Sequence, residues 1–142
     1  MTDTIPIWCA PYVGLPFVDR GRGERGVDCY GLCCLVYQDQ FGITLPSLLG
    51  GYGSCNDRLA VARLFFEETT RNPIWTRVPL EDARLGDILS IHYVAMWHVG
   101  IVVANERFLH VMPGRETCVE RLRPSWYSRV DAVYRHHERL DV

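Results

Sequence analysis

Apolar residues recur three and four positions apart through Cys29, Leu32, Cys33, Val36 and Tyr37, the stripe of an amphipathic helix. Asp28 just before this run is a natural N-cap and Gly42 just after it a natural stop, so the pattern predicts a helix over 29–41. A second helix is predicted over 57–70, capped by Asn56, with Leu59, Ala62, Leu64 and Phe65 facing inward and Asn72-Pro73 ending it. From residue 84 onward the period shortens to alternation. Arg84-Leu85-Gly86-Asp87 reads as a turn, and strands are expected over 88–92, 98–103, 107–111, 117–121 and 131–135. Asn105-Glu106 stands between the second and third strands at hairpin length. Residues 1–27, rich in glycine and proline, and the run Gly50–Ser54 read as irregular. Helices followed by an antiparallel meander make an α+β fold, and residues 1–142 fit one domain.

Composition narrows the function. Of the 142 residues, 48% are hydrophobic and 23% charged, the profile of a globular protein with a real core. A formal charge of -2 lacks the basic footprint of a nucleic-acid binder, so no nucleic-acid partner is expected. The chain has no lysine, which excludes a P-loop NTPase and any lysine Schiff-base enzyme. Its six cysteines include the adjacent pair Cys33-Cys34 within a helical pattern, so reduced thiols are expected rather than a disulfide framework. The opening Met-Thr-Asp-Thr-Ile-Pro has no basic and apolar leader pattern, and no apolar run reaches membrane-spanning length; synthesis in a cytoplasm and no membrane insertion are expected.

Chemistry concentrates at Cys29, which opens the first helix, and at His98 and His110 on later strands. A free thiol is only a few per cent ionised at neutral pH. A helix N-terminus contributes about 0.3–1 kcal/mol, less than one pKa unit, and an ionised Asp28 would oppose it. Activation of Cys29 therefore needs a base. His98 is the candidate, with His110 as the group that fixes its second ring nitrogen. In the alternation of the two strands His98 groups with Gly100 and Val102, and Phe108 with His110, so a shared face depends on the register. The plainer reading makes Cys29 a small core residue and the histidines satisfied strand residues.

Further motifs stand around these three residues. Tyr12-Val13-Gly14-Leu15-Pro16-Phe17, a glycine-rich loop, and Val27-Asp28-Cys29-Tyr30-Gly31-Leu32 are followed by Leu85-Gly86-Asp87-Ile88, His98-Val99-Gly100-Ile101-Val102 and Phe108-Leu109-His110. In this order, over roughly residues 12–122, they resemble the NlpC-type family of papain-like cysteine peptidases. The resemblance implies a nucleophile helix packed on an antiparallel sheet, with residues 43–74 as a helical insertion. It implies Cys29 as nucleophile, His98 as base and His110 as orienting residue, acting on peptidoglycan stem peptides, commonly at the D-γ-glutamyl–diaminopimelate amide. The variant Val-Asp-Cys-aromatic-Gly-Leu, with the insertion, looks most like cell-wall peptidases of phage tails and gene transfer agents. That implies tail-tip or baseplate proteins as partners, and action on the wall, in the periplasm of the target cell. Many members have a tyrosine where this chain has Phe17, which cannot donate a hydrogen bond. The oxyanion would then rely on the Cys29 N–H with another donor such as Tyr12; Asp28 and Tyr30 are the remaining candidates around oxyanion and substrate.

Other patterns carry less. Gly21-Arg22-Gly23-Glu24-Arg25-Gly26 matches a dinucleotide fingerprint in letters, but no βαβ unit surrounds it, so no cofactor is expected. Cys29, Cys33 and Cys34 could be drawn with the histidines as a zinc set, but they lie on an apolar helix face, and no metal is expected. Trp97 should point away from the face of His98, and His136-His137 reads as a solvated terminus.

Overall fold

A computed structural model of the chain describes residues 1–71, 73–94 and 96–142. A 3-10 turn, Ile7–Tyr12, leads into a two-stranded ribbon, β1 (Arg22–Gly23) and β2 (Gly26–Val27). The first helix, α1, runs Cys29–Val36 and widens into a π-helical turn, Tyr37–Phe41. Gly42 stops it in the left-handed conformation, φ 65°, as its lack of a side chain permits.

The second helix, α2, is Arg58–Arg71. Its cap is Asp57, whose Oδ1 accepts the Ala60 N–H at 3.2 Å, rather than Asn56. Asn72, expected to help end this helix, lies outside the described residues. Leu59, expected inward, is exposed. The apolar positions of α2 are spread widely around its circumference, and the buried side is chosen by the strand beneath, where Phe65 stacks on Trp97 with ring centroids 6.2 Å apart.

Six strands follow: β3 (Trp75–Val78), β4 (Ile88–Tyr93), β5 (Met96–Ala104), β6 (Arg107–His110), β7 (Cys118–Arg121) and β8 (Val130–His136). They form one antiparallel sheet in the order β3-β8-β4-β5-β6-β7. The α+β expectation holds, and β3 is the strand the sequence pattern did not reveal. His136 is not solvated: it ends β8, buried, with its ring 5.3 Å from that of Trp75.

Alternation gives the central strands two apolar faces. Val99, Ile101, Val103, Leu109 and Val111 pack with Leu32, Cys33 and Val36 of α1 and with Tyr37 of the π-helical turn. Leu89, Ile91, Val102, Phe108 and Val133 form a second core beneath Leu122 and Trp126. Gly86-Asp87 enters β4 with Asp87 buried, its carboxylate held by Arg135 through Nε at 2.9 Å and Nη2 at 2.8 Å. No helix among the described residues is long and apolar enough to cross a membrane.

Candidate active site

Cys29 is the first residue of α1, and the sequence around it explains why it sits there. Asp28 Oδ1 caps the helix, accepting the Gly31 N–H at 2.7 Å and Arg22 Nη1 at 2.7 Å. Its Oδ2 accepts the Tyr52 hydroxyl, which itself accepts Arg22 Nη2 at 2.6 Å. The glycine-rich loop folds back onto the helix start: a Cβ on Gly31 would stand 1.9 Å from the Gly21 carbonyl oxygen. The loop thus delivers Arg22 to Asp28, and Gly31 is the space that lets it.

The backbone N–H groups of Val99 and Tyr30 favour the Cys29 thiolate, but less than burial opposes it. Cys29 lines a largely apolar pocket with His98, Trp97, Phe17, Tyr52, Leu64 and Phe65. The segment that carries α2 is therefore a wall of this pocket, and Trp97 lines it too, its ring beside Phe65 and His92 and away from the face of His98 as the alternation predicts. Burial, then the charge of Asp28, pushes the Cys29 thiol up to about 12.

His98 sits near the start of β5, buried. The register settles what the sequence left open. Ile101 faces Leu109 and Val102 faces Phe108, so β5 and β6 place His98 and His110 on one face of the sheet. A Cβ on Gly100 would press to 2.8 Å on the Phe108 ring and 3.3 Å on His110 Cβ, so the glycine leaves room for this pairing. His98 Nε2 lies 2.8 Å from His110 Nδ1, and His110 Nε2 lies 2.5 Å from Glu120 Oε2. Trp126 packs near both rings, with centroids 6.1 Å from His98 and 5.1 Å from His110.

Nε2 of His98 is engaged by His110, and the residue lines the pocket with Cys29. No hydrogen bond joins it to the Cys29 thiol among the described contacts; the two side chains share the pocket wall. Burial, then the neighbouring His110, pushes His98 down to about 3. Burial lowers His110 as well, with Glu120 pulling the other way. These directions make the resting pair a neutral thiol and a neutral imidazole.

The three remaining site candidates fall differently. Both carboxylate oxygens of Asp28 are engaged by the chain itself, so Asp28 organises Arg22, Tyr52 and the helix start instead of donating to an oxyanion. Tyr30 lines the pocket, but its hydroxyl donates to the Pro46 carbonyl at 2.7 Å and ties the segment after Gly42 to α1. The Tyr12 hydroxyl is elsewhere: it donates to Asp39 Oδ2 at 2.9 Å and accepts Gln40 Nε2 at 2.9 Å, at the far end of the helix. Tyr12 thus secures the N-terminal 3-10 turn and cannot serve an oxyanion at Cys29. Two residues went unnoticed in the sequence, Tyr52 and Glu120. Tyr52 stands in a glycine-rich loop with no local signal, and Glu120 acquires its partner only through β6–β7 pairing.

The profile of the NlpC/P60 family matches residues 14–135, which include Cys29, His98, His110 and Glu120. The chain belongs to the NlpC/P60 family. Among solved structures it is similar to the NlpC/p60 domain of the peptidoglycan hydrolase SagA, with a TM-score of 0.62, 19% identity, and coverage of 89% of this chain and 92% of that one. It is also similar to a family protein from Bacillus cereus ATCC 10987, with a TM-score of 0.61 and 19% identity, over 94% of this chain and 41% of that one. Among curated proteins it is 28% identical over 102 residues to a probable endopeptidase of Haemophilus influenzae. That match takes in 70% of this chain, which spans about half the length of the relative, 52%. The papain-like α+β fold is that of the family's solved domains.

Proposed function

We propose that this domain hydrolyses amide bonds in the peptide stems of peptidoglycan, with Cys29 as nucleophile, His98 as base and His110 as its orienting partner. The observation that carries the reading is the 2.8 Å contact between His98 Nε2 and His110 Nδ1 beside a pocket that also holds Cys29 at a helix start. As Cys29 attacks the amide carbonyl carbon, its thiol proton passes to His98 Nδ1. The imidazolium donates its Nε2–H to His110 Nδ1, and His110 donates its own Nε2–H to Glu120, which sets the tautomer the chain requires. The oxyanion is met by the Cys29 N–H at the helix start. Collapse expels the amine, which takes the proton from His98, and leaves a thioester on Cys29. His98 then draws a proton from water, which attacks the thioester and frees the new carboxylate and the thiol.

The finer placing is a wall peptidase of a phage tail or gene transfer agent, cutting at the D-γ-glutamyl–diaminopimelate amide. It would be made in the cytoplasm, built into the tail tip beside baseplate proteins, and act on the periplasmic wall of the target cell. The motif variant at Cys29 and the inserted α2 support it. Digestion of purified murein followed by mass spectrometry tests substrate and bond together. Stem peptides severed between the glutamyl and diaminopimelyl residues support the assignment, and cuts at another amide overturn the bond.

A second reading has its own observation. Phe17 lines the pocket where a hydroxyl donor would serve catalysis, and α2 walls the same pocket with apolar side chains. These features suit a tail-tip assembly component with a weak or silent site. Murein left intact by the purified domain at high concentration would favour it.

A further inference from the structure

Three different donor atoms meet on the β6–β7 pair, in a groove separate from the pocket of Cys29. The register sets Cys118 opposite His110, and Glu120 follows two residues later on the same face. His110 Nε2, Cys118 Sγ and a Glu120 carboxylate oxygen all lie within 4.8 Å of one another. Cys118 is a free thiol, partly exposed, with Sγ 3.9 Å from Glu120 Oε2. The mechanism above makes no use of it.

An imidazole nitrogen, a thiolate and a carboxylate are ligands of zinc, and bond lengths near 2.0–2.3 Å put donors of a tetrahedral site about 3.3–3.7 Å apart. The separations observed here bracket that range, so modest side-chain rotation brings all three onto one ion. The groove leaves a fourth position open to water.

We propose that His110, Cys118 and Glu120 form a binding site for a thiophilic divalent cation of the zinc class, and that its occupation silences the peptidase. The second half rests on the reading of His110 as the partner of His98. In the active arrangement His98 carries its proton on Nε2, and His110 carries its own on Nε2, facing Glu120. A cation takes the Nε2 lone pair of His110, so that proton must sit on Nδ1, facing His98. His98 Nε2 then has to accept, and neutral His98 holds its proton on Nδ1, the position that must be empty to receive the proton of Cys29. The two rings keep the same number of protons, and Cys118 releases one to solvent. The base is blocked by its tautomer while Cys29 stays chemically intact.

The binding arm uses the whole chain with Cys29→Ala, which removes the pocket thiol as a competing ligand, and titrates it with cobalt(II). The expected result is one equivalent bound with a thiolate-to-cobalt charge-transfer band. Adding Cys118→Ala should abolish that band and weaken binding at least tenfold, with an unchanged circular-dichroism spectrum. The same band and affinity in both proteins would overturn the site. This readout does not depend on hydrolysis, so it decides the metal site even if the peptidase reading fails. In the activity arm, zinc should inhibit the wild-type chain and a chelator restore it. Cys118→Ala should be active in metal-free buffer and need at least tenfold more zinc for half inhibition. Equal sensitivity of the two would place zinc at Cys29 and overturn the regulatory half.

Discussion

His98 Nε2 stands 2.8 Å from His110 Nδ1, and that single contact decides which nitrogen of His98 is left to work. In the proposed mechanism Nδ1 takes the thiol proton and His110 accepts the Nε2–H. A substitution that keeps an acceptor should therefore keep function. We expect His110→Gln to retain more activity than His110→Leu, measured as kcat on a stem peptide, because the glutamine carbonyl can accept the His98 N–H. Equal losses in the two variants would remove the orienting role.

Glu120 extends the same chain, but its side chain is 43% exposed, so water can replace it. Glu120→Ala should lower kcat about tenfold, the low end of what outer-shell partners of a histidine are worth, with KM unchanged. A change confined to KM would place Glu120 in substrate binding instead.

The thiol and imidazole are each pushed toward their neutral forms, Cys29 up to about 12 and His98 down to about 3. Only the thiolate reacts with iodoacetamide, and its fraction grows tenfold per pH unit below the thiol pKa. Alkylation of Cys29 in the free protein should thus climb without a plateau from pH 6 to pH 9, read by peptide mapping. A plateau below pH 8 would mean a preformed ion pair and contradict the neutral resting state.

Asp87 and Arg135 form a buried, doubly hydrogen-bonded pair at the entry to β4. Removing one member strands the other charge. Asp87→Ala should cost about 3–5 kcal/mol in denaturant unfolding, the usual cost of breaking a buried pair. A loss below about 1 kcal/mol would show that Arg135 finds another partner or water.

The sequence makes the first helix plain because local chemistry specifies it: Asp28 caps, Gly42 stops, and the apolar stripe runs between them. Cys29, His98 and His110 are legible for the same reason, each sitting in a short local motif. What local pattern cannot supply is pairing. The His98–His110 contact needs the β5–β6 register, and Glu120 and Cys118 need that of β6–β7. Strand β3 buries only Trp75 of its four residues, so it carries no alternating signal, and is held by its partner β8. Tyr12 has the right chemistry for an oxyanion donor, but tertiary contact with Asp39 claims its hydroxyl. Leu59 is exposed against the sequence pattern because the packing of α2 on β5, with Phe65 on Trp97, decides which side of the helix is covered.

The central claim is that Cys29 carries the acyl group. It is tested most directly by acid-quenching the protein during turnover of a stem peptide and mapping it by mass spectrometry. The account predicts the acyl fragment as a thioester on the peptide containing Cys29, and neither adduct nor product with Cys29→Ala. Cleavage by Cys29→Ala at the wild-type rate would contradict it.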